Sequence, residues 1–442
     1  MTRASPASVR PSVAFVTLGC PKNEVDSDRM AAAVSGAFAV VSDVDDADAV
    51  VVNTCAFIEE ATQESVGVVL DLVEGWKRER EGRHVVVAGC MPSRYRDDLQ
   101  DAMPEVDAFL PVADEEGLVR VLASLKGIGT VAEPGTTRTA PGPSAYLKVA
   151  DGCHRACTYC AIPSIRGPYR SRPADELVAE ASYLVHGGAR ELVLVAQDVS
   201  AWGHDLAGDR SLAGLVRELA AVDGLAWLRL LYVQPDGITP ELLDVMATSS
   251  VVCRYLDLPL QHASRSVLAA MGRRGRDTDY LQLVGALRAA LPGVALRSTF
   301  ISGFPGETRQ DAETLLRFVR AARLDYAGVF AYSAEEGTPA AKMRPRVPSR
   351  TLKARTQRLR DLSDEIGFEL AASRIGTRLE VLVEGVDEDG MTFGRHRGQA
   401  PEVDGGVLLP ADGELPAGSI VEAEIIDALG YDLVGKVRSR DA

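Results

Sequence analysis

The stretch Asp151-Gly152-Cys153-His154-Arg155-Ala156-Cys157-Thr158-Tyr159-Cys160 decides how the rest of the chain is read. Three cysteines fall in eight residues, with gaps of three residues and then two. The nearest cysteine upstream is Cys90 and the next downstream is Cys253. A structural cubane iron–sulfur cluster takes four thiolates. Three thiolates with no local fourth leave one iron open for a substrate or cofactor, as catalytic zinc keeps an open position. A zinc knuckle that borrows His154 or a distant ligand is the other reading of the same spacing.

The strand Tyr146-Leu147-Lys148-Val149-Ala150 leads into this loop. Beyond it, candidate strands recur at Glu191 to Ala196, Leu225 to Tyr232, Tyr255 to Pro259, Ala295 to Ile301 and Tyr326 to Tyr332. Helical patterns lie between them: Ala174 to His186, Leu212 to Ala221, Pro240 to Thr248, Thr278 to Ala290 and Gln310 to Ala322. Such alternation implies a parallel sheet, closed fully or partly into a βα barrel like the TIM fold. Ligands of such folds bind at the C-terminal ends of strands, where the cysteine loop lies. Gln197-Asp198, Gln261-His262 and Gly303-Phe304-Pro305-Gly306-Glu307-Thr308 fall at equivalent ends. The last lacks the Lys-Ser/Thr of a phosphate loop and reads as a turn with Thr308 as helix cap. Gly187-Gly188 suits either close backbone approach to a ligand or a helix C-cap. His262 has both a functional and a core reading, and Cys253 reads as a packed core thiol.

Upstream, the Val-rich runs Val13 to Thr17, Ala49 to Asn53 and His84 to Ala88 read as buried parallel strands. Helices are expected over Asp26 to Gly36 and Glu59 to Arg80. Just past each strand comes a cysteine, Cys20, Cys55 and Cys90, spaced thirty-five residues apart. Any one alone is best read as a small buried hydrophobe. Three at equivalent strand ends can converge on one cluster. After a charged helical bridge, Lys342 to Leu370, the pattern changes to five short strands separated by Gly turns, the mark of a small antiparallel β-barrel. From Ser373 to Ala442 there are seven Lys/Arg and fourteen Asp/Glu. An acidic barrel repels a phosphate backbone and suits a basic protein.

The 442 residues fit about three domains. We expect a disordered N-terminus (1–12), a cysteine-bearing α/β domain (13–130), a linker (131–144), the βα-barrel domain (145–372) and the small barrel (373–442). Apolar runs are strand-length and residues 1–12 are polar, so neither a membrane span nor a signal peptide is expected. A cytoplasmic setting follows, in which seven cysteines read as ligands before disulfides. A net charge of −15 argues against a sequence-independent nucleic-acid binder.

The three-cysteine loop with Tyr159 before its last cysteine, set in a βα pattern, resembles the radical S-adenosylmethionine superfamily. With three further N-terminal cysteines and a small C-terminal barrel (a TRAM domain), the chain is similar to its methylthiotransferases. Gly19-Cys20-Pro21-Lys22-Asn23, Asn53-Thr54-Cys55-Ala56-Phe57-Ile58, Asp257-Leu258-Pro259-Leu260-Gln261-His262 and Ala400-Pro401-Glu402-Val403-Asp404-Gly405 resemble the RimO branch. That branch modifies an aspartate of protein S-twelve in the small ribosomal subunit. The tRNA-modifying MiaB branch would be expected to show Gln-Met after the first cysteine and a more basic barrel.

The resemblance implies two four-iron clusters. Cys153, Cys157 and Cys160 hold the one that binds S-adenosylmethionine, whose one-electron cleavage yields a radical able to take hydrogen from an unactivated β-carbon. Cys20, Cys55 and Cys90 hold the one that delivers sulfur as a methylthio group. An electron donor, flavodoxin-like or similar, and a sulfur donor are implied as well. Tyr159, Gly187, Gly188, Gln197, Arg297 and Glu307 are the expected cofactor-pocket residues, with Arg297 able to fork onto a carboxylate. Glu402 and Asp404 are the expected contacts to the protein substrate. A tRNA adenosine methylthiotransferase and a non-catalytic zinc-bound adaptor remain as alternatives, although tRNA is not the expected partner.

Overall fold

The computed structural model describes residues 10–96, 98–127, 138, 142–410 and 415–437. Most of the expected disordered N-terminus and of the 131–144 linker lies outside the described residues. The chain divides into two compact units. One comprises residues 1–139 and 161–168, the other residues 140–160 and 169–442.

In the first unit, β1 (Ser12–Thr17), β2 (Ala39–Val41), β3 (Ala49–Thr54), β4 (His84–Gly89) and β5 (Ala108–Pro111) form a parallel sheet in the order β2-β1-β3-β4-β5. Strand side chains alternate between faces. Val50, Val52, Val85 and Val87 pack into one core, and Ala49, Val51, Val86 and Ala88 into another. Both faces are therefore covered, and that is why the strands read as continuous apolar runs. The first helix runs Pro21–Val34, starting earlier than its apolar pattern, because Pro21 occupies the first turn directly after Cys20. The second runs Glu59–Asp71 and then widens into π-type turns over Leu72–Lys77.

In the second unit, β6 (Ser144–Lys148) is followed by the short pair β7 (Ala150–Asp151) and β8 (Arg170–Ser171), which flank the cysteine loop. Two parallel three-stranded sheets follow. The first is β10 (Trp227–Leu230), β9 (Glu191–Val195) and β6; the second is β11 (Tyr255–Gln261), β12 (Ala295–Ser302) and β13 (Tyr326–Ala331). Backbone bonds from Leu228 to Val251, Cys253 to Leu228 and Val233 to Asp257 join β10 to the β11 side. The result is a six-stranded partial barrel, since among the described residues no ladder returns from β13 to β6. The connecting helix begins at Ser349 rather than near Lys342, because Pro345 and Pro348 keep the preceding chain extended.

β14 (Arg378–Val386), β15 (Thr392–His396), β16 (Val407–Leu409), β17 (Ile420–Leu429) and β18 (Asp432–Val437) close the small barrel in the order β14-β15-β16-β18-β17. It is antiparallel except for β16 with β18. Val381, Val383, Val407, Leu409, Ala423, Ile425 and Leu433 fill it.

Candidate active site

The cysteine loop is tied down at both ends. Lys148 Nζ lies 2.9 Å from Asp151 Oδ2, and the Gly152 amide donates to Asp151 Oδ1 at 2.8 Å. At the far end Thr158 bonds through its amide to Met271 O (3.0 Å) and through its hydroxyl to Ala270 O (2.8 Å). Gly272, at φ +73°, lets that turn approach; a Cβ there would lie 2.6 Å from Ala156 O. Tyr159 packs edge-on against Phe304, which does the same against Tyr332.

Two arginines, absent from the sequence-derived site, position the loop. Arg155 Nε donates to Asp198 Oδ2 at 2.5 Å, and its terminal nitrogens fork onto Asp236 at 3.0 and 2.8 Å. Arg273 donates to Gln234 Oε1 and Pro259 O, both at 2.6 Å, and lies 3.7 Å from Cys157 Sγ. No spacing announces these contacts: Arg155 meets residues 43 and 81 positions away. Burial pushes the Cys153 thiol up, with Asp198 and Cys157 adding to it, against the Arg155 amide and guanidinium. Burial and the nearby Cys157 likewise hold the Tyr159 hydroxyl well above its ordinary range, so it stays protonated.

Of the expected pocket residues, Gln197 and Glu307 lie at the C-terminal strand ends with the loop. Both amide atoms of Gln197 are shielded from solvent and have no partner among the described residues. A buried amide in that state asks for a ligand or ordered water. Glu307, by contrast, is consumed by its own turn. Its Oε2 accepts from the Gly303 amide and its Oε1 from Arg355, each at 2.7 Å. Burial raises its carboxyl, but hydrogen bonding from His262, the Gly303 amide and Arg355 outweighs that and leaves it lowered. His262 accepts from the Ser264 amide at Nδ1, which puts its proton on Nε2, 3.5 Å from Glu307. Both residues shape the turn beneath Tyr159.

Gly187 and Gly188 sit elsewhere, ending the helix Ala174–His186 ahead of β9 and so at the N-terminal ends of the strands. The C-cap reading accounts for them. Arg297 is also near the start of its strand. Its Nη1 bonds Asp404 Oδ1 at 2.7 Å, and Asp404 Oδ2 accepts from the Tyr255 hydroxyl at 2.5 Å. Arg297 thus joins the sheet to the small barrel rather than forking onto a cofactor. Asp404 is only 1 % exposed and cannot meet a protein partner, whereas Glu402 stays exposed. Sequence proximity placed the two acids together, but Glu402 lies at φ +66° in a turn that directs one inward.

In the first unit Cys20, Cys55 and Cys90 gather beyond the ends of β1, β3 and β4. Asn23 Oδ1 lies 3.8 Å from Cys20 Sγ and 3.9 Å from Cys90 Sγ. Gly19, at φ +102°, sits so close to Cys55 that a Cβ would lie 3.1 Å from its Sγ. Burial lifts the Cys55 thiol and takes Cys90 up to about 11, and in both cases the neighbouring cysteines add to the rise. Metal binding displaces thiol protons, so raised values make assembly more costly at neutral pH. No disulfide joins any of the described cysteines. Among the described residues no three His, Cys, Asp or Glu gather around a single ion; a cubane places each thiolate on a different iron and does not require that. The donor chemistry of both thiol sets fits such a cluster, and the Gln197 amide, without a partner among the described residues, fits a polar ligand beside the barrel-loop set.

The partial barrel and its thiol loop define a radical S-adenosylmethionine enzyme: the radical SAM superfamily matches residues 147–319 and a TRAM domain matches 375–437. The uncharacterized protein family UPF0004 matches residues 12–111. The chain is 43 % identical to the ribosomal protein uS12 methylthiotransferase RimO of Geobacter sulfurreducens, over 98 % of this chain and all of that one. It is 44 % identical to the protein of the same name from Desulforudis audaxviator, over 97 % of each. The chain therefore belongs to the RimO family of radical SAM methylthiotransferases. Among solved structures, the radical S-adenosylmethionine methyltransferase TsrM from Kitasatospora setae superposes with a TM-score of 0.58 at 16 % identity, covering 84 % of this chain and 76 % of that one. That likeness shows the fold. No helix among the described residues is long and apolar enough to cross a membrane.

Proposed function

We propose that the protein methylthiolates the β-carbon of an aspartate in ribosomal protein uS12, in the cytoplasm, using two four-iron clusters. The carrying observation is the pair of thiol sets, Cys153, Cys157 and Cys160 on the barrel loop and Cys20, Cys55 and Cys90 at the first unit's strand ends. The family's name for its substrate supports the target. When bound, the clusters and S-adenosylmethionine supply hydrogen abstraction and the methylthio group, with electrons and sulfur drawn from external donors.

The chain's own share is positioning. Arg155 and Arg273 hold the loop, Tyr159 and Phe304 form an apolar floor beside it, and Gln197 offers an amide donor and acceptor to the cofactor. On the small barrel, Glu380 of β14 pairs in register with Glu422 of β17, but Arg378 and Lys436 lie opposite Glu424 and Arg397 pairs with Glu380, so that face is mixed in charge. The excess of acids from Ser373 to Ala442 and the exposed Glu402 support docking of a basic protein, because complementary charge raises association rates. Mass spectrometry of uS12 and of bulk tRNA from a strain lacking the gene is the test. Loss of a methylthio group from the aspartate with tRNA unchanged is expected; the reverse result returns the tRNA reading.

A further inference from the structure

The short helix Ile162–Arg166 follows Cys160 in sequence but belongs to the first unit, with residues 161–168. It brings Arg166 to the thiol set of that unit. The Arg166 side chain is 1 % exposed and pairs with the equally buried Asp26 through Nη1 at 3.0 Å. Its Nη2 donates to Asn23 Oδ1 at 2.7 Å and lies 3.6 Å from Cys90 Sγ. Asn23 cannot turn freely, since its Nδ2 bonds Leu18 O at 2.8 Å and Thr54 O at 3.1 Å. Its backbone carbonyl also accepts from Asn53 Nδ2 at 2.8 Å. One guanidinium therefore holds both the amide oxygen beside Cys20 and Cys90 and the Cys90 sulfur itself.

The contacts from Cys20 and Cys90 to Asn23 need thiol protons, which metal binding removes. The contact from Arg166 does not, and it becomes charge-assisted once Cys90 is a thiolate. Hydrogen bonds to sulfur and nearby net charge are among the terms that set an iron–sulfur potential. A buried cation favours the more negative, reduced state, and burial leaves that attraction little screened. The activity named for the family does not assign this arginine.

We propose that Arg166 is a positioning residue for the group held by Cys20, Cys55 and Cys90, orienting Asn23 and raising that group's reduction potential. This rests on the two-cluster reading above. The test uses the full chain with Cys153, Cys157 and Cys160 all replaced by alanine, reconstituted anaerobically with iron and sulfide. Midpoint potentials are read by electron paramagnetic resonance during reductive titration. Asp26→Asn serves as control, so that Arg166→Gln/Asp26→Asn removes the guanidinium without stranding a buried carboxylate.

The double variant should titrate at a lower potential than Asp26→Asn, while Arg166→Lys, which keeps the charge, stays near its parent. Equal potentials for the loaded control and double variant overturn the inference. So does a fall in Arg166→Lys as large as that in the double variant. If the double variant folds but takes up no iron, Arg166→Lys decides: loading at the parent's potential supports the charge requirement, and failure to load overturns it. A parent that binds no iron overturns the two-cluster reading, and this inference with it; a loaded parent with no Arg166 effect overturns this inference alone.

Discussion

Replacing Arg155 by methionine isolates what holds the radical loop. One arm of Arg155 meets Asp198, whose side chain is 3 % exposed; the other meets Asp236, whose side chain is 70 % exposed. Breaking a buried pair from one side costs ~3–5 kcal/mol, because a desolvated charge is left behind. An exposed pair contributes ~0–1 kcal/mol. Arg155 is itself one-third exposed, and Asp198 keeps its bond from the Ser200 hydroxyl, so the lower end, about 3 kcal/mol, applies to the buried arm. That corresponds to ~100-fold more frequent opening of the loop. Hydrogen exchange of residues 152–160 in iron-free protein should therefore accelerate by about two orders of magnitude in Arg155→Met and less than about fivefold in Asp236→Asn. Exchange unchanged in Arg155→Met, or equally fast in both variants, would refute the assignment of the loop's anchorage to Asp198.

Three further outcomes are expected. Replacing Cys153, Cys157 and Cys160 together, or Cys20, Cys55 and Cys90 together, should leave about half the parent's iron in each case if the sites assemble independently, as metal analysis of anaerobic protein would show. Gly89→Ala should lower stability by at least ~2 kcal/mol in urea titration, because φ is +91° and the new Cβ would lie 2.2 Å from Asn53 Oδ1. Glu191 is buried between Arg229 and Arg395; burial raises its carboxyl, but those two charges outweigh it and hold it at about 2. Its folded value lies below the ordinary 4.5, so its contribution is full above that pH and fades as pH falls toward 2. It amounts to roughly 3 kcal/mol by the energy per pKa unit, and the loss of stability between pH 5 and 3 should be smaller in Glu191→Gln.

Much of this architecture was legible because it is local. Val-rich runs declare buried parallel strands, alternation with Gly turns declares the small barrel, and cysteine spacing declares metal chemistry. These signals live in neighbouring residues, whose side-chain direction follows from strand or helix period. The position of Gln197 just past the end of a strand was legible in the same way. What the sequence could not rank was which polar residues point where. Arg297, Gly187 and Gly188 share composition with cofactor ligands, yet they lie at the other end of the sheet. Asp404 looks as available as Glu402 until a turn buries it against Tyr255 and Arg297.

The anchoring arginines show the reason most plainly. A long side chain carries no period of its own, and its partner is fixed only when distant segments meet: Arg155 with Asp198 and Asp236, Arg273 with Gln234, Arg395 with Glu191, Arg166 with Asp26 and Cys90. By itself the sequence determined the class of fold, the two thiol sets and the chemistry they can support. Which charges brace those sets was decided only by the tertiary structure, because burying an ion demands a partner within a few ångströms, whatever its distance along the chain.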